Sequence, residues 1–493
     1  MAHSLRTVLT PALGKTIRAV ARLRGGGTAL PGRVIESVDS DFMARTLAQL
    51  PYGVVLVSGT NGKTTTTRIV ASMLKNLGLR VFTNPTGSNF TRGVVSALLD
   101  EVDMRGRLHA DVAVLELDEA YAVHFVDKVK PRYALLLNVL RDQLDRFGEI
   151  DTTATMLASV AKATTGTVVL NREDSRVAAL SDVVRGSDGV RVRYYGLSDD
   201  LMDFFPSDDA MYDSSENAEL SVHATGENGV LDSAHERQPR ERKFDLTHYR
   251  PAHVTLTALQ DHTATFAIES NGHVESHAAE LKLEGVYNAF NAAGALAVVQ
   301  AIMEDGPHTP LYQLSHSLSS SPEEVRKPAS LSALSVPSAQ KLIEAVSAVT
   351  PAFGRGESID VHGDQVELIL VKNPMGFRLA LKSFNPTGHG TMIVINDEYA
   401  DGRDMSWLWD VDFTSLRDTA VDMVSGVRAT DMALRLAYDE VDAIHVDDSI
   451  SQALGMFIAD TAGKPKHIYC TYTAMLAVRK ALSQIADVED VGL

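Results

Sequence analysis

A lysine and a threonine directly after a glycine, at the end of a short apolar run, are residue types that handle phosphate. The stretch Val54-Val55-Leu56-Val57-Ser58-Gly59-Thr60-Asn61-Gly62-Lys63-Thr64-Thr65 has that form, and a helix-like pattern follows it to about Leu77. Glycines let backbone N–H groups point at phosphate oxygens, and a helix N-terminus favours negative charge there. In such a loop Lys63 reaches the β- and γ-phosphates and the Thr64 hydroxyl sits on Mg²⁺. Val57 stands where a further glycine is usual, so the loop is a variant. The plain alternative is a strand-to-helix turn with no ligand, and Lys63-Thr64 directly after Gly62 argues against it.

Other polar residues stand at the ends of apolar runs. Glu116 closes Val112–Leu117, with Asp118 and Glu119 just beyond. A carboxylate beside a phosphate loop suits Mg²⁺ or its water shell, whereas a solvated acidic turn is the bland reading. Asn138 closes the next run and opens into Arg141-Asp142-Gln143-Leu144-Asp145-Arg146-Phe147-Gly148-Glu149. Ligation, substrate contact or a hinge would each account for that density of charge. Asn288 and Asn291 lie three apart on one helical face, where they frame a base or ribose or merely cap the helix. Further on, Asp401 and Asp404 precede Trp407 and Trp409, the only tryptophans of the chain. A turn and a cap explain one of the aspartates, while aromatic anchors suggest an interface.

These residues need a scaffold that brings strand ends together. From Tyr52 onward strands alternate with helices: Val54–Val57, Arg80–Phe82, Val112–Leu117, Tyr133–Asn138 and Val168–Leu170. That pattern predicts a mostly parallel sheet with helices on both faces and binding residues at its carboxyl edge. Residues 51–306 read as this central domain, and 341–493 as a smaller C-terminal α/β domain holding Val366–Val371 and Met392–Ile395. Residues 199–250 read as a polar insertion and 307–340 as a Ser/Pro-rich linker. In the lead-in, 1–50, Pro11 to Arg24 reads as a basic helix with Leu9, Leu13, Ile17 and Val20 on one face. It either lies on an anionic membrane surface or packs on the next domain.

The chain has 493 residues, two or three domains' worth, and a net charge of −18, which argues against nucleic acid as a partner. Its single cysteine, Cys470, sits among apolar residues and excludes an internal disulfide or a Cys-rich metal site. No apolar run is long enough to span a bilayer and no signal peptide is evident, so a cytoplasmic location is expected, with 1–35 able to touch the inner membrane face.

Taken in order, Gly59 to Thr65, Glu116, Asn138 to Gly148, Asn288/Asn291 and Gly354-Arg355-Gly356-Glu357 resemble the Mur ligase superfamily. Arg141 to Arg146, Lys372-Asn373-Pro374-Met375-Gly376, Asp401-Gly402-Arg403-Asp404 to Asp410, and Ser425-Gly426 to Arg435 are most like its MurT family of ligase-like subunits. The resemblance implies an ATP-dependent carbon–nitrogen ligase that amidates the D-glutamate α-carboxylate of lipid II or its precursor. It also implies a heterodimer with a GatD-like glutaminase that supplies ammonia. In that frame Gly59, Thr60, Asn61, Gly62, Lys63, Thr64 and Thr65 hold ATP, Thr64 and Glu116 hold Mg²⁺, and Asn288 and Asn291 lie near adenine. Arg355 meets phosphate or ribose, and Asp401 or Asp404 completes a Cys-His-Asp triad in the partner. An amino-acid-adding or folylpolyglutamate-type ligase and a nucleotide-dependent scaffold remain as alternatives. MurT proteins commonly carry a four-cysteine zinc ribbon, but residues 199–250 have no cysteine, so no zinc is expected. Many Mur ligases have a His where Gln143 stands and use a carbamylated lysine further on. Lys162 is the only candidate near that place and is given no role.

Overall fold

The computed structural model describes residues 10–17, 29–84, 90–140, 150–186, 189–204, 250–260, 263–270, 272–282, 286–307, 336–350 and 355–488. The segments 141–149, 205–249 and 308–335 lie outside these, and with them Gln143, most of the polar insertion and most of the Ser/Pro-rich stretch.

A nine-stranded sheet is built on β1 (Val54–Ser58), β2 (Val81–Thr83), β3 (Val112–Glu116), β4 (Tyr133–Leu136), β5 (Thr167–Asn171), β6 (Arg191–Leu197), β7 (Val254–Gln260), β8 (Thr263–Ser270) and β9 (His273–Glu280), in the order β2-β3-β1-β4-β5-β6-β7-β8-β9. Neighbours from β2 to β7 run parallel, and β8 and β9 continue antiparallel. β1, β3, β4 and β5 are buried along their whole length. Strands covered on both faces need continuous apolar sequence, which is why they are plain in the sequence. β6 and β9 are not, since each mixes charged and apolar residues.

Two helices matter for the site: α1 (Lys63–Asn76), which follows β1, and α2 (Val286–Asp305). They share one apolar cluster with the sheet. α2 has no polar face along most of its length because it is enclosed by α1 and the sheet. The helix Ala339–Ser347 packs into the same cluster, so its packing sides with the central sheet. Helices Thr91–Glu101, Glu119–Lys128, Ile150–Ala163 and Ser175–Val184 cover the opposite face.

Residues 10–17 are helical and lie on Thr91–Glu101. The contact runs through Gly14, where an added Cβ would meet the Leu99 side chain at 2.4 Å, and Thr10 donates to Asp39 at 2.7 Å. Leu13, expected on the apolar face, is exposed because glycine rather than leucine permits this close approach. Arg18, Arg22 and Arg24 lie outside the described residues.

The second sheet contains β10 (Arg355–Val361), β11 (Asp364–Leu370), β12 (Gly390–Val394), β13 (Val421–Ser425), β14 (Ala443–Asp447) and β15 (Lys466–Cys470), ordered β10-β11-β15-β12-β13-β14. All neighbours are parallel except β10 and β11. α3 (Pro374–Ser383) and α4 (Ala429–Tyr438) cover one face; Ile450–Asp460 and α5 (Tyr472–Leu482) cover the other. The chain is therefore α/β, with a large, mostly parallel central sheet and a smaller C-terminal α/β unit.

Candidate functional site

The loop between β1 and α1 turns on two glycines with positive φ, Gly59 at 136° and Gly62 at 84°. Both are also needed for space. A Cβ on Gly59 would come within 2.9 Å of the Asn138 backbone nitrogen, and one on Gly62 within 2.6 Å of Asn291 Oδ1. The loop is thus moulded between the end of β4 and the start of α2, as the parallel-sheet reading requires. Asn138 holds it: its Oδ1 accepts from Asn61 N–H at 2.8 Å, and its Nδ2 donates to the Asn61 carbonyl at 3.1 Å. Thr60 N–H donates to the Asn138 carbonyl at 2.9 Å, so three bonds fix two loop residues.

Lys63 is buried, with Nζ donating to the carbonyls of Gly59 at 2.7 Å and Thr60 at 3.2 Å. Asp118 and Glu119 lie 3.3 and 3.7 Å from the same nitrogen. Thr64 Oγ1 donates to Glu116 Oε1 at 2.7 Å. Glu116 is held from behind by Asn84, whose Oδ1 accepts from the Glu116 N–H at 3.0 Å and whose Nδ2 donates to its carbonyl at 2.9 Å. A hydroxyl and a carboxylate side by side, next to a phosphate-type loop, form the hard oxygen set that a magnesium ion takes. The donor chemistry therefore fits the ion.

Asn291 is buried against Gly62, and Asn288 lies one turn earlier on α2. Arg355 opens β10 opposite Ile369, and its side chain is outside what the structure describes. The C-terminal unit also reaches the loop. Asn373 and Asn61 exchange amide hydrogen bonds, Asn61 Nδ2 to Asn373 Oδ1 at 3.2 Å and Asn373 Nδ2 to Asn61 Oδ1 at 2.9 Å. Lys372 Nζ donates to the Thr60 carbonyl at 3.2 Å. Sequence reading assigned no individual site role to Asn84, Asn138, Lys372 or Asn373; single asparagines carry no spacing signature, though Asn138 opens one noted stretch and Lys372-Asn373 stands in another.

The two aspartates after β12 separate clearly. Asp401 is buried: Oδ1 accepts from Thr473 N–H at 2.7 Å, and Oδ2 accepts from Glu398 N–H at 3.1 Å and from the Thr473 hydroxyl. It ties the loop to the first turn of α5. Asp404 is exposed and accepts from Ser406 N–H at 2.9 Å. The Ser406 hydroxyl and N–H hold its carboxyl below the usual carboxylate range. Trp407 is half-buried against Phe377 of α3, whereas Trp409 is 49% exposed and meets the Tyr438 ring edge-on at 5.0 Å. The Arg435 guanidinium lies 5.5 Å from the Trp409 ring and pairs with Asp439 at 2.8 Å. Leu434 and Tyr438 add exposed apolar surface one turn apart on α4. Cys470 is buried, and burial pushes its thiol up, away from nucleophilic use.

Residues 57–299 match the family model described as Mur ligase middle domain, and residues 370–475 match MurT ligase C-terminal. The MurT subunit of lipid II isoglutaminyl synthase (glutamine-hydrolyzing) from Streptococcus pneumoniae is 28% identical over 97% of this chain and 98% of its own length. The subunit of the same name from Staphylococcus aureus is 27% identical over 87% of each. Among solved structures, the MurF ligase of Thermotoga maritima in complex with ADP is 15% identical, with a TM-score of 0.57 over 91% of this chain and 83% of that one.

Proposed function

The chain belongs to the Mur ligase superfamily, and from that premise we propose that it is the nucleotide-using subunit of a lipid II isoglutaminyl synthase. A carboxylate is a poor electrophile, so amidation requires activation. An oxygen of the D-glutamate α-carboxylate attacks the γ-phosphorus of ATP; the new P–O bond forms as the bond to ADP breaks. Ammonia then attacks the acyl carbon, the C–N bond forms, and phosphate departs with the electron pair of the broken C–O bond.

Lys63 would meet the β- and γ-phosphates, and loop N–H groups from Gly59 to Thr65 would cradle them. Thr64 and Glu116 would hold a magnesium ion, which offsets phosphate charge when bound. Asn288 and Asn291 would border the adenine side, and Arg355 would meet phosphate or ribose. Glu116→Gln is expected to raise the Mg²⁺ concentration needed for half-maximal phosphate release by about tenfold. An unchanged metal titration would remove Glu116 from the site.

The observation that carries partner dependence is the absence of a nucleophile of the glutaminase kind. The chain's one cysteine is buried in the C-terminal sheet, which supports a glutaminase thiol supplied by another chain. We assign that step to a GatD-like glutaminase docked on the C-terminal unit. Asp404 is the aspartate available to such a partner, since Asp401 is committed to α5. Trp409, Leu434 and Tyr438 form an apolar face with Trp409 braced by Arg435. Trp409→Ala should weaken the heterodimer by about 2 kcal/mol, roughly thirtyfold in Kd, read by titration of the purified subunits. Undiminished affinity would move the interface away from this face.

Among the described residues no helix is long and apolar enough to cross a membrane. We place the enzyme in the cytoplasm without structural zinc, its segment 10–17 serving to pack on Thr91–Glu101. The decisive experiment supplies lipid II and ATP to the chain with its copurified partner and follows the product by mass spectrometry. Glutamine-dependent amidation only with the partner is expected. Amino-acid-dependent phosphate release by the lone chain would instead indicate an amino-acid-adding ligase.

A further inference from the structure

We propose that Asn373 is a positioning residue that links the nucleotide loop to the Asp404 turn, so that nucleotide occupancy sets the rate of glutamine hydrolysis in the partner. This rests on the functional reading above and goes beyond it.

The link begins in the loop. Asn61 sits one residue before Gly62, and its backbone is held by Asn138. Its side chain leaves the central unit and pairs with Asn373 through two hydrogen bonds, at 3.2 and 2.9 Å. Both residues are buried, Asn373 at 1% exposure, so losing one partner leaves the other amide unsatisfied. The same seam holds the bond from Lys372 Nζ to the Thr60 carbonyl at 3.2 Å and the packing of Leu140, Tyr287 and Leu379, whose contact is not directional. The amide pair is directional and sets the register of the two units.

Asn373 passes that register on. Its Oδ1 also accepts from Gly376 N–H at 2.8 Å and so caps α3, where Pro374 sits in the first turn. One oxygen therefore serves the loop contact and the helix start together. α3 then presents Phe377, fully buried, to Phe413 at 5.1 Å, Tyr469 at 5.5 Å and Trp407 at 6.5 Å. Trp407 lies in the short helical turn Ser406–Asp410, and Ser406 is the residue that holds the Asp404 carboxylate. A shift of the loop on binding phosphate is carried by Asn61 to Asn373, by α3 to Trp407, and so to the aspartate that faces the partner. Only the part of such coupling that lies in binding is reciprocal: as far as nucleotide changes the affinity for glutamine, glutamine changes the affinity for nucleotide by the same factor.

The test uses the purified heterodimer. Glutamine hydrolysis is measured with and without saturating ATP and Mg²⁺, lipid II being absent, for wild type, Asn373→Asp and Asn373→Ala. Asn373→Asp keeps an oxygen for Gly376 N–H, and with it the cap of α3, but loses the donor to Asn61 Oδ1. The wild-type complex should change its glutaminase kcat/KM by about fivefold or more on adding nucleotide. In both variants that ratio should fall toward one, while amidation driven by added ammonium continues. A wild-type complex indifferent to nucleotide overturns the inference. So does a response that persists in Asn373→Asp, or ammonium-driven amidation that fails in step with the response, which would place Asn373 in the ligase chemistry itself. A wild-type complex that neither hydrolyses glutamine nor amidates lipid II defeats the functional reading and this inference with it, before any substitution is made.

Discussion

Lys63→Ala is expected to lower ATP-dependent amidation by on the order of 10²–10³-fold, with glutamine or with ammonium as the nitrogen source. Phosphoryl transfer involves little covalent work by the protein, so loss of a cation that follows the developing phosphate charge falls on the rate. Lys63 Nζ is already gathered between the Gly59 and Thr60 carbonyls, with Asp118 and Glu119 alongside. The side chain is therefore preorganised at the loop and does not range through solvent. The fold should survive, because among the described residues the cores on the two faces of the central sheet draw on nine α-helices and Lys63 adds no apolar layer to them. The loss should appear in kcat more than in the KM for lipid II, since Lys63 would act on the transferring group. Single-turnover phosphate release and a thermal melt on the same sample check both halves. Amidation at the wild-type rate would remove this loop from the chemistry.

How much of this was legible beforehand follows from where each interaction is encoded. The phosphate-type loop is local: Gly59, Gly62, Lys63 and Thr64 lie within six residues, and positive φ calls for glycine at Gly59 and Gly62. β1, β3 and β4 are local as well, since burial on both faces forces a continuous apolar run. β14 escapes for the opposite reason. It is the last strand of its sheet, and Ile444 and Val446 are exposed, so burial imposes no apolar pattern there. Asn61 and Asn373 stand 312 residues apart, and no periodicity or spacing could pair them. Asn84 and Asn138 work by holding backbone groups, which demands an amide but no neighbouring motif. The same limit left Asp401 and Asp404 equivalent until Thr473, from a different strand end, was seen to engage one of them.

That separation makes the largest expected effect on the amido-transfer half specific to one residue. Asp404→Asn should lower glutamine hydrolysis in the heterodimer by about 10³-fold or more, as removing the acidic member of such a triad does. The third member of a triad orients its histidine and stabilises the charged imidazole, and both require a carboxylate with a free oxygen. Asp404 meets that requirement at the surface: Oδ1 accepts from Ser406 N–H, and the side chain projects from the turn that carries Trp409. Ser406 holds its carboxyl below the ordinary range, so the ionised form is favoured. Its charge is therefore present at neutral pH and is lost only as the pH falls through that lowered value. Any acid limb that Asp404 gives to glutamine hydrolysis should accordingly lie at lower pH than an unperturbed aspartate would give. Asp401→Asn should behave differently. It replaces an acceptor that Thr473 engages through both its N–H and its hydroxyl, so its cost belongs to the stability of the C-terminal unit. With ammonium in place of glutamine, Asp404→Asn should amidate lipid II at close to the wild-type rate, because Lys63, Thr64 and Glu116 are untouched. Normal glutamine hydrolysis by Asp404→Asn with the partner bound would make Asp404 a mere cap for the turn at Ser406, and the partner's triad would have to find its third member elsewhere.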